Sequence, residues 1–323
     1  MKSVELFAGC GGLALGLKRA GFDCVRAFEL NGNAVNTMRA AGITDPANVV
    51  QADLAAISAE EWSSYGLGRV DLLAGGPPCQ PFSVGGKGRG EWDKRDGFPH
   101  FLRAIEGLKP RSFLMENVKG LTSYKHKDYL DAIINSGRDL GYNIFVRVLN
   151  ASHYGVPQTR ERVFVVGTTG DFDFSWPERT HGTPMTVRDA LGAPPGVSAW
   201  CSDGGRSKLP PHRPVHSLDE PCMTQRAQHG GGGSGVLMLG SSDLGDAERV
   251  IFEDGSTSAV KSGWSRPPVW FARRVKTVEA AKLQGFTEQY PFCGGVSETY
   301  KMIGNAVPPR MGEVMGRAIR DIL

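Results

Sequence analysis

Long apolar segments and metal-binding cysteine patterns are both missing from this chain of 323 residues. It has no run of about 18 apolar residues, so we predict no membrane span. Its six cysteines stand far apart, without a CxxC pair or the Cys/His spacing of zinc sites. The N-terminus runs directly into a predicted strand and lacks the apolar stretch of a signal peptide. These absences predict a cytoplasmic protein with free thiols and no metal.

The net charge is also small, +3 at pH 7, and by itself does not indicate a nucleic-acid-binding protein. Glycine, by contrast, is abundant: the chain has 43 glycines, well above the usual share of about 7%. They concentrate in short motifs and in the segment 230–235. This placement indicates sites where the backbone approaches a ligand closely, and mobile loops, rather than disorder.

Residues 1–169 alternate between strand-like and helix-like segments. The predicted strands are Ser3–Phe7, Cys24–Glu29, Val49–Ala52, Val70–Ala74, Arg111–Glu116, Ile144–Leu149 and Arg162–Thr168. The predicted helices are Leu13–Ala20, Asn31–Ala41 with Asn31 as its N-cap, Phe98–Leu108, Lys127–Leu140, Thr277–Leu283 and Pro309–Ile322. This alternation predicts an α/β fold with a parallel, doubly wound sheet.

The composition changes after about residue 170. Up to about 271 the chain carries many Gly, Pro, Ser and His residues, short apolar pieces and little helical periodicity. We therefore predict a smaller, irregular and mostly β domain over 170–271. It interrupts a first domain formed by 1–169 together with 272–323.

A cysteine stands among prolines in the segment AGGPPCQPFS, at the end of the fourth predicted strand. The carboxyl edge of an open α/β sheet is where ligands bind. Pro77, Pro78 and Pro81 restrict the backbone around Cys79 and delay the next helix. A lone cysteine is more often a small core residue, but a thiol held on a rigid turn suits a nucleophile.

The segment ELFAGCGGLALG reads as a strand, a glycine-rich turn and a helix. Gly9 and Gly11 let a ligand approach the backbone, and the helix N-terminus offers free N–H groups. Glu29 ends the next strand, 20 residues after Gly9, as expected of an acid that binds ribose hydroxyls. Asp53 follows a third strand and could accept from an adenine amino group. Together they favour a nucleoside cofactor, although the turn alone would fit NAD or no ligand.

Further polar residues stand at the ends of later strands. Glu116, in MENVKG, faces the same predicted edge as Cys79. In QTRER, a period of two places Gln158, Arg160 and Arg162 on one face of a strand. These side chains could bind an anion or the edge of a base. A solvated loop acid and a salt-bridged edge strand are the alternatives that remain open.

Taken together, these segments resemble one family. In chain order they are FAGCGG, FELN, ADL, GGPPCQPFS, ENV, QTRER, RRVKTVEAAKLQGF and GNAVPP. This set and its order are similar to the cytosine-C5 DNA methyltransferases, over nearly all of residues 1–169 and 272–323. The resemblance implies a Rossmann-like methyltransferase sheet with a variable target-recognition domain between. It also implies DNA (cytosine-5-)-methyltransferase activity with S-adenosyl-L-methionine as cofactor and no metal.

The resemblance also implies roles for the residues named above. Cys79 would add to C6 of a cytosine that has been flipped out of the duplex. Glu116 would hold and protonate N3, Arg162 would bind the O2 side, and Arg160 would support them. The methyl group would pass to C5, leaving S-adenosyl-L-homocysteine as the second product.

The cofactor-binding residues implied by the resemblance are Phe7, Gly9, Gly11, Glu29, Asp53, Pro78, Asn305 and Val307. Leu30 stands where many relatives carry an aromatic residue that stacks on adenine, so we expect apolar contact only. The implied DNA-binding residues are Ser83, Lys87, Arg89 and Arg95 in and beside a closing loop over 84–99, and Thr224, Arg226 and Gln228 as phosphate and base contacts.

The expected partner is double-stranded DNA, bound by a monomer of a prokaryotic or phage type. A cognate restriction endonuclease is a second potential partner. The sequence specifies neither the recognition site nor the base methylated within it.

Three alternative functions fit the sequence less well. An RNA cytosine methyltransferase would carry a Cys-Phe-Thr segment and PFT, whereas this chain has PFS and no Cys-Phe-Thr. A non-catalytic DNA-binding relative would usually lack the nucleophile or the acid, and Cys79 and Glu116 are both present. A nicotinamide oxidoreductase would explain only residues 1–53.

Overall fold

The computed structural model describes residues 1–78, 96–170, 174–180, 182–193, 197–202, 215–216, 218–225, 236–241, 249–252, 257–259 and 271–323. Within these parts the chain forms a seven-stranded sheet, a six-stranded sheet and a two-stranded ladder.

The seven-stranded sheet carries the predicted strands. In chain order they are β1 (Lys2–Leu6), β2 (Asp23–Glu29), β3 (Val49–Gln51), β4 (Leu72–Gly75), β5 (Ser112–Val118), β6 (Asn143–Asn150) and, after a short β7 (Gln158–Thr159), β8 (Glu161–Thr168). Their order across the sheet is β3-β2-β1-β4-β5-β8-β6. The chain winds from β1 to one side and then, through β4, to the other, so the switch point lies between β1 and β4.

One strand departs from the predicted parallel sheet. β8 runs antiparallel to both β5 and β6. The connection from β6 to β8 covers only residues 151–160, whereas a parallel crossover needs a dozen or more residues and usually a helix. The short connection therefore forces β8 to reverse.

Helices cover both faces of this sheet. The helices of the described residues are α1 (Gly12–Arg19), α2 (Gly32–Ala40), α3 (Ala59–Ser64), α4 (Phe98–Leu108), α5 (Lys127–Asp139), α6 (Val187–Leu191), α7 (Thr277–Leu283), α8 (Val296–Asn305) and α9 (Pro309–Arg320). Of these, α6, α7 and α8 pack together in a core cluster of their own. On β4, Leu72 and Ala74 pack in one core cluster with α1 and α9, while Leu73 packs in the opposite cluster with α4. The predicted doubly wound α/β fold is confirmed.

The predicted helices occur within a few residues of their predicted ends. Asn31 is the N-cap of α2, and its Oδ1 accepts from the backbone N–H of Ala34 at 3.0 Å. Helices α3, α6 and α8 were not predicted. Capping boxes begin two of them, at Ser58 for α3 and Thr186 for α6, and these were the available sequence signals.

The last helix packs tightly against the first. A Cβ atom at Gly16 would lie 2.2 Å from the carbonyl oxygen of Pro309, and one at Gly312 would lie 2.8 Å from that of Leu13. Only glycine allows α1 and α9 to approach this closely. The packing brings the segment before α9, GNAVPP, to the glycine-rich turn before α1.

The second sheet draws its strands from 197–274. They are β9 (Val197–Ser202), β10 (Val215–His216), β12 (Val236–Ser241), β13 (Arg249–Phe252), β14 (Thr257–Ala259) and β15 (Phe271–Arg274), in the order β10-β9-β12-β15-β13-β14. β11 (Cys222–Met223) pairs instead with β7 in a parallel ladder. The predicted division at 170 and 271 stays a prediction. In the described part of the chain, no helix is long and apolar enough to span a bilayer.

Candidate active site

A carboxylate and a guanidinium meet at the carboxyl edge of the seven-stranded sheet. Glu116, near the end of β5, is 7% exposed. Its Oε1 lies 3.1 Å from Nε of Arg162, the second residue of β8. The ladder pairs Arg162 with Val118 because β8 is antiparallel to β5. A parallel β8 would carry Arg162 to the opposite edge, so the reversal of this strand creates the pair.

The pair is largely shielded from water. Burial lowers the pKa of the Arg162 guanidinium, and the charge of Glu116 opposes that shift. Arg162 Nη1 also donates to the carbonyl oxygen of Glu161 at 2.8 Å. In this setting the attraction between opposite charges is stronger than in water. The arrangement places a carboxyl group and a guanidinium donor side by side, suited to a ring that has both a nitrogen and an oxygen on one edge.

Arg160 points elsewhere, although it was predicted as catalytic with Arg162. It is 2% exposed, and its guanidinium donates to the carbonyl oxygens of Gly304 at 3.2 Å, Ala306 at 3.1 Å and Gln225 at 3.3 Å. Burial lowers its pKa, and the nearby Arg162 lowers it further. With these donors bound to backbone carbonyls, Arg160 is placed to hold Gln225 and the segment around Gly304 and Ala306.

Gln158 likewise belongs to a buried network. Its Nε2 donates to Oε1 of Gln284 at 2.8 Å and to the carbonyl oxygen of Leu283 at 3.3 Å. Gln284 Nε2 donates in turn to the carbonyl oxygen of Ala306 at 2.6 Å, and Gln158 Oε1 accepts from the backbone N–H of Gln225 at 3.1 Å. Gln158 is thus held by buried partners, and the ligand-binding role of QTRER stays a prediction. The burial alternates as predicted, but only Arg162 joins Glu116.

We expect Gln284→Met to lower the free energy of unfolding by about 1–3 kcal/mol, because it removes two buried hydrogen bonds at similar side-chain volume. Gln289 is exposed and provides a matched control, Gln289→Met, which should change stability little. Urea denaturation of both variants measures the difference. Equal stability of the two variants would show that the network contributes nothing.

The glycine-rich turn lies beside the same edge. Phe7 and Gly9 both have positive φ, 54° and 55°. The N–H of Gly9 donates to Oε2 of Glu29 at 2.8 Å, and the N–H of Asn31 donates to Oε1 at 2.7 Å. A Cβ at Gly9 would have nothing within 4 Å, so the turn faces open space. Glu29 is thus fixed at the predicted position by two backbone donors.

Pro78 and Phe7 converge on one glycine. A Cβ at Gly97 would lie 2.4 Å from Cδ of Pro78 and 3.0 Å from Cζ of Phe7. The N–H of Gly97 donates to the carbonyl oxygen of Pro78 at 3.1 Å, and Asn117 Nδ2 donates to that of Pro77 at 2.8 Å. The segment before Cys79 is therefore anchored against β5.

The remaining predicted cofactor residues lie around this edge. Asp53 is exposed after β3, and its Oδ1 accepts from the N–H of Ala55 at 3.0 Å. Leu30 follows Glu29 and is 62% exposed, open to contact with a ligand. Asn305 is exposed at the end of α8. Val307 is buried, and its carbonyl oxygen would lie 2.3 Å from a Cβ at Gly12, so GNAVPP does return to the glycine turn.

Two residues that support the turn were not predicted. Glu5 on β1 is 2% exposed; burial, reinforced by the charge of Glu29, raises its pKa well above the usual range. The Tyr290 hydroxyl donates to the carbonyl oxygen of Cys10. Tyr290 follows the LQGF segment, and no local pattern links it to the turn, because the contact joins residues far apart in sequence.

Several predicted residues lie outside the described part of the chain. They are Cys79, Ser83, Lys87, Arg89, Arg95, Arg226 and Gln228. Thr224 is described, and its hydroxyl donates to the carbonyl oxygen of Thr159 at 2.9 Å. Because a phosphate oxygen only accepts, the predicted phosphate contact of the Thr224 hydroxyl requires this bond to break. The residues that are described contain no group of three His, Cys, Asp or Glu side chains that could hold a metal ion.

The comparison with protein families decides the class of this site. The model of the C-5 cytosine-specific DNA methylases matches residues 1–214 and 241–321. The chain belongs to the C-5 cytosine-specific DNA methylases. The function of this DNA methylase is the methylation of cytosine at C5 in DNA, as predicted. The match covers every segment that carried the resemblance.

Curated relatives extend along the whole DNA methylase. The Type II methyltransferase M.AplI of Arthrospira platensis is 32% identical, over 99% of this chain and 86% of the relative. The Type II methyltransferase M.NaeI of Lentzea aerocolonigenes is 34% identical, over 100% of this chain and 75% of the relative. A crystal structure of a candidate DNA modification methyltransferase from an Escherichia coli prophage superposes with a TM-score of 0.67 at 26% identity, covering 100% and 99% of the two chains.

Proposed function

We propose that this DNA methylase modifies a cytosine within a specific short duplex sequence, with Cys79 as nucleophile and the Glu116–Arg162 pair acting on the ring. The observation that carries the proposal is the 3.1 Å ion pair between Glu116 and Arg162. It lies at the sheet edge that also carries the glycine turn, which is the ligand-binding edge of such sheets.

The chemistry requires groups of this kind. Attack by a thiolate on C6 of cytosine places negative charge on the ring, and protonation of N3 compensates for it. Glu116 is suited to hold and deliver that proton, while Arg162 can donate to the O2 atom on the same edge. C5 then becomes nucleophilic and takes the methyl group, after which loss of the C5 proton and cleavage of the C6–S bond release the methylated base and the thiolate. The base must first leave the stack, at a cost of a few kcal/mol that contacts to the flanking DNA offset.

The described residues fit S-adenosyl-L-methionine, which supplies an electrophilic methyl group when bound. Each oxygen of Glu29 accepts one backbone N–H and keeps a lone pair for a ribose hydroxyl. Gly9 faces open space that a side chain would fill. Leu30 offers apolar contact, and Asp53 an acceptor, on the adenine side. Phe7, Gly11, Pro78, Asn305 and Val307 complete the proposed site.

In this proposal, the segment 170–271 determines which DNA sequence the protein methylates. Arg226 and Gln228 are candidates for reading base edges, and Lys87, Arg89 and Arg95 for contacting phosphates. The names of the curated relatives support a place in a restriction–modification system with a cognate endonuclease. We also propose that the protein acts as a monomer in the cytoplasm.

Bisulfite sequencing of plasmid DNA from cells that express the protein tests this function. We expect methylated cytosines at one short recurring sequence, and none in cells that express Glu116→Gln. Methylation of cellular tRNA in the absence of any DNA methylation would contradict the proposal and favour the RNA alternative. Full DNA methylation by the Glu116→Gln variant would remove Glu116 from the mechanism.

The cofactor assignment gives a separate prediction. S-adenosyl-L-methionine should raise the melting temperature, since a ligand at 100 times its Kd stabilises the fold by about 2.7 kcal/mol. Glu29→Ala should reduce that shift, because it removes the acceptor for the ribose. Asp45→Ala is a matched control: the Asp45 carboxylate also accepts a backbone N–H, that of Ala47 at 2.8 Å, but it lies before β3, at the other edge. Stabilisation by NAD and not by S-adenosyl-L-methionine would contradict the assignment.

A further inference from the structure

The residues that follow Glu116 form a basic loop, 119–127, which we call the Tyr124 loop. Its sequence, KGLTSYKHK, has three lysines and one histidine and no acidic residue. It connects β5 to α5 through two short 3-10 helices, Lys119–Thr122 and Tyr124–His126. None of the short motifs that carried the resemblance includes residues 120–127.

The loop begins at the active edge. Lys119 directly follows β5, and its Nζ lies 2.9 Å from Oε2 of Glu161. Glu161 precedes Arg162 on β8, and the alternation of a strand turns their side chains to opposite faces of the sheet. The Tyr124 loop therefore begins at the same carboxyl edge as the Glu116–Arg162 pair, the edge to which a duplex must deliver its cytosine.

The loop is held in one conformation by the protein beneath it. Leu121 is fully buried in the core cluster that includes β5 and α5. The Thr122 hydroxyl donates to the carbonyl oxygen of Lys119 at 2.9 Å. The N–H of Ser123 donates to Gly120 at 3.1 Å, and that of His126 donates to Ser123 at 2.9 Å. Such a loop loses little conformational entropy when it binds a partner.

This fixed loop presents a tyrosine and a lysine to solvent. Tyr124 is 93% exposed, the highest value among the large hydrophobic side chains that the structure describes as exposed. Lys119 and Lys127 each face an acid, Glu161 and Asp131. For Lys125, which is exposed, the described residues provide no such ion pair. An aromatic ring beside an uncompensated cation is the combination that nucleic-acid surfaces use for stacking and phosphate contact.

We propose that the Tyr124 loop is a DNA-binding surface of this protein, additional to the closing loop and the target-recognition segment. Lys125 contacts a backbone phosphate of the substrate duplex, and the ring of Tyr124 packs against the adjoining sugar or base. The Tyr124 loop carries basic residues and no acidic one, so it attracts the phosphate backbone and would repel an equally basic partner. The inference rests on the proposed function, because it requires duplex DNA at this edge.

Fluorescence anisotropy with a duplex that the wild-type protein methylates tests the proposal, over 50–200 mM salt. Lys125→Ala should lower the magnitude of the slope of log K against log[salt] by about 1, for cognate and random duplexes alike. Tyr124→Ala should weaken binding roughly tenfold, while Tyr124→Phe stays near wild type. Arg19→Ala is the matched control: Arg19 is an exposed cation in the last turn of α1, at the opposite edge.

The outcomes separate this inference from the function it rests on. The melting temperature and its shift with S-adenosyl-L-methionine should be unchanged in all variants, since these side chains are exposed. If the wild type binds and methylates the duplex while Lys125→Ala and Tyr124→Ala behave as Arg19→Ala does, the Tyr124 loop is not a DNA surface. If the wild type does not methylate any duplex, the proposed function itself fails. Weaker binding of a protein or RNA partner, with DNA binding unchanged, would also overturn the inference.

Discussion

Replacing Glu116 by glutamine is expected to lower the rate constant of methyl transfer by about 10²-fold or more, the usual scale of general acid–base assistance. Glutamine has nearly the same shape but cannot deliver a proton to N3. It also leaves the charge of Arg162, 15% exposed at its side chain, without a countercharge. Single-turnover methylation of a cognate duplex measures the effect. Affinity for the duplex should change little, because Glu116 is buried and acts on the flipped base alone.

Glu161→Gln is a matched control for this variant. Glu161 stands on the neighbouring strand and also pairs with a cation, Lys119, at 2.9 Å. Its side chain is 46% exposed, and exposed pairs contribute about 0–1 kcal/mol, so its rate constant should match that of wild type. Loss of duplex binding by Glu116→Gln, with an unchanged single-turnover rate, would show that Glu116 binds DNA and does not act on the ring.

Cys79→Ser is expected to abolish turnover while leaving the fold and cofactor binding nearly intact. A serine hydroxyl is a far weaker nucleophile than a thiolate. Cys79 lies outside the described residues, but the chain before it passes the acid: a Cβ at Gly76 would lie 3.5 Å from Oε2 of Glu116. Asn117 and Gly97 hold Pro77 and Pro78 in place. The proposed nucleophile is the next residue in the sequence.

A covalent trap measures this prediction. A duplex with 5-fluorocytosine at the target should give the wild type a denaturation-resistant adduct, because fluorine cannot leave as a proton does. Cys79→Ser should give none. Cys293→Ser, which changes a half-buried free thiol beside Thr37 of α2, should behave as wild type. An adduct that persists in Cys79→Ser would assign the nucleophile to another residue.

Most helices and strands of the first domain could be predicted, because the patterns that specify them involve residues close together in the sequence. Period-two and period-3.6 hydrophobicity, glycine turns and the Asn31 cap depend on neighbours in sequence, and the structure places these elements within a few residues of their predicted bounds. The helices α3 and α6 were missed because six and five residues offer few turns of periodicity. The longer α8 was missed because no side-chain cap marks its start at Gly295. Glu29 was found from its spacing, and two backbone donors do fix it beside Gly9.

The sequence by itself determined the family, the α/β class and the residue types of the site, because the order of motifs and their local geometry lie along the chain. Only the tertiary structure decided which polar residues meet. The alternation in QTRER is the same for Arg160 and Arg162, yet Arg160 binds the carbonyl oxygens of Gly304 and Ala306 while Arg162 pairs with Glu116. That difference follows from the reversal of β8 and from the packing of α9 on α1, both of which bring together residues distant in sequence.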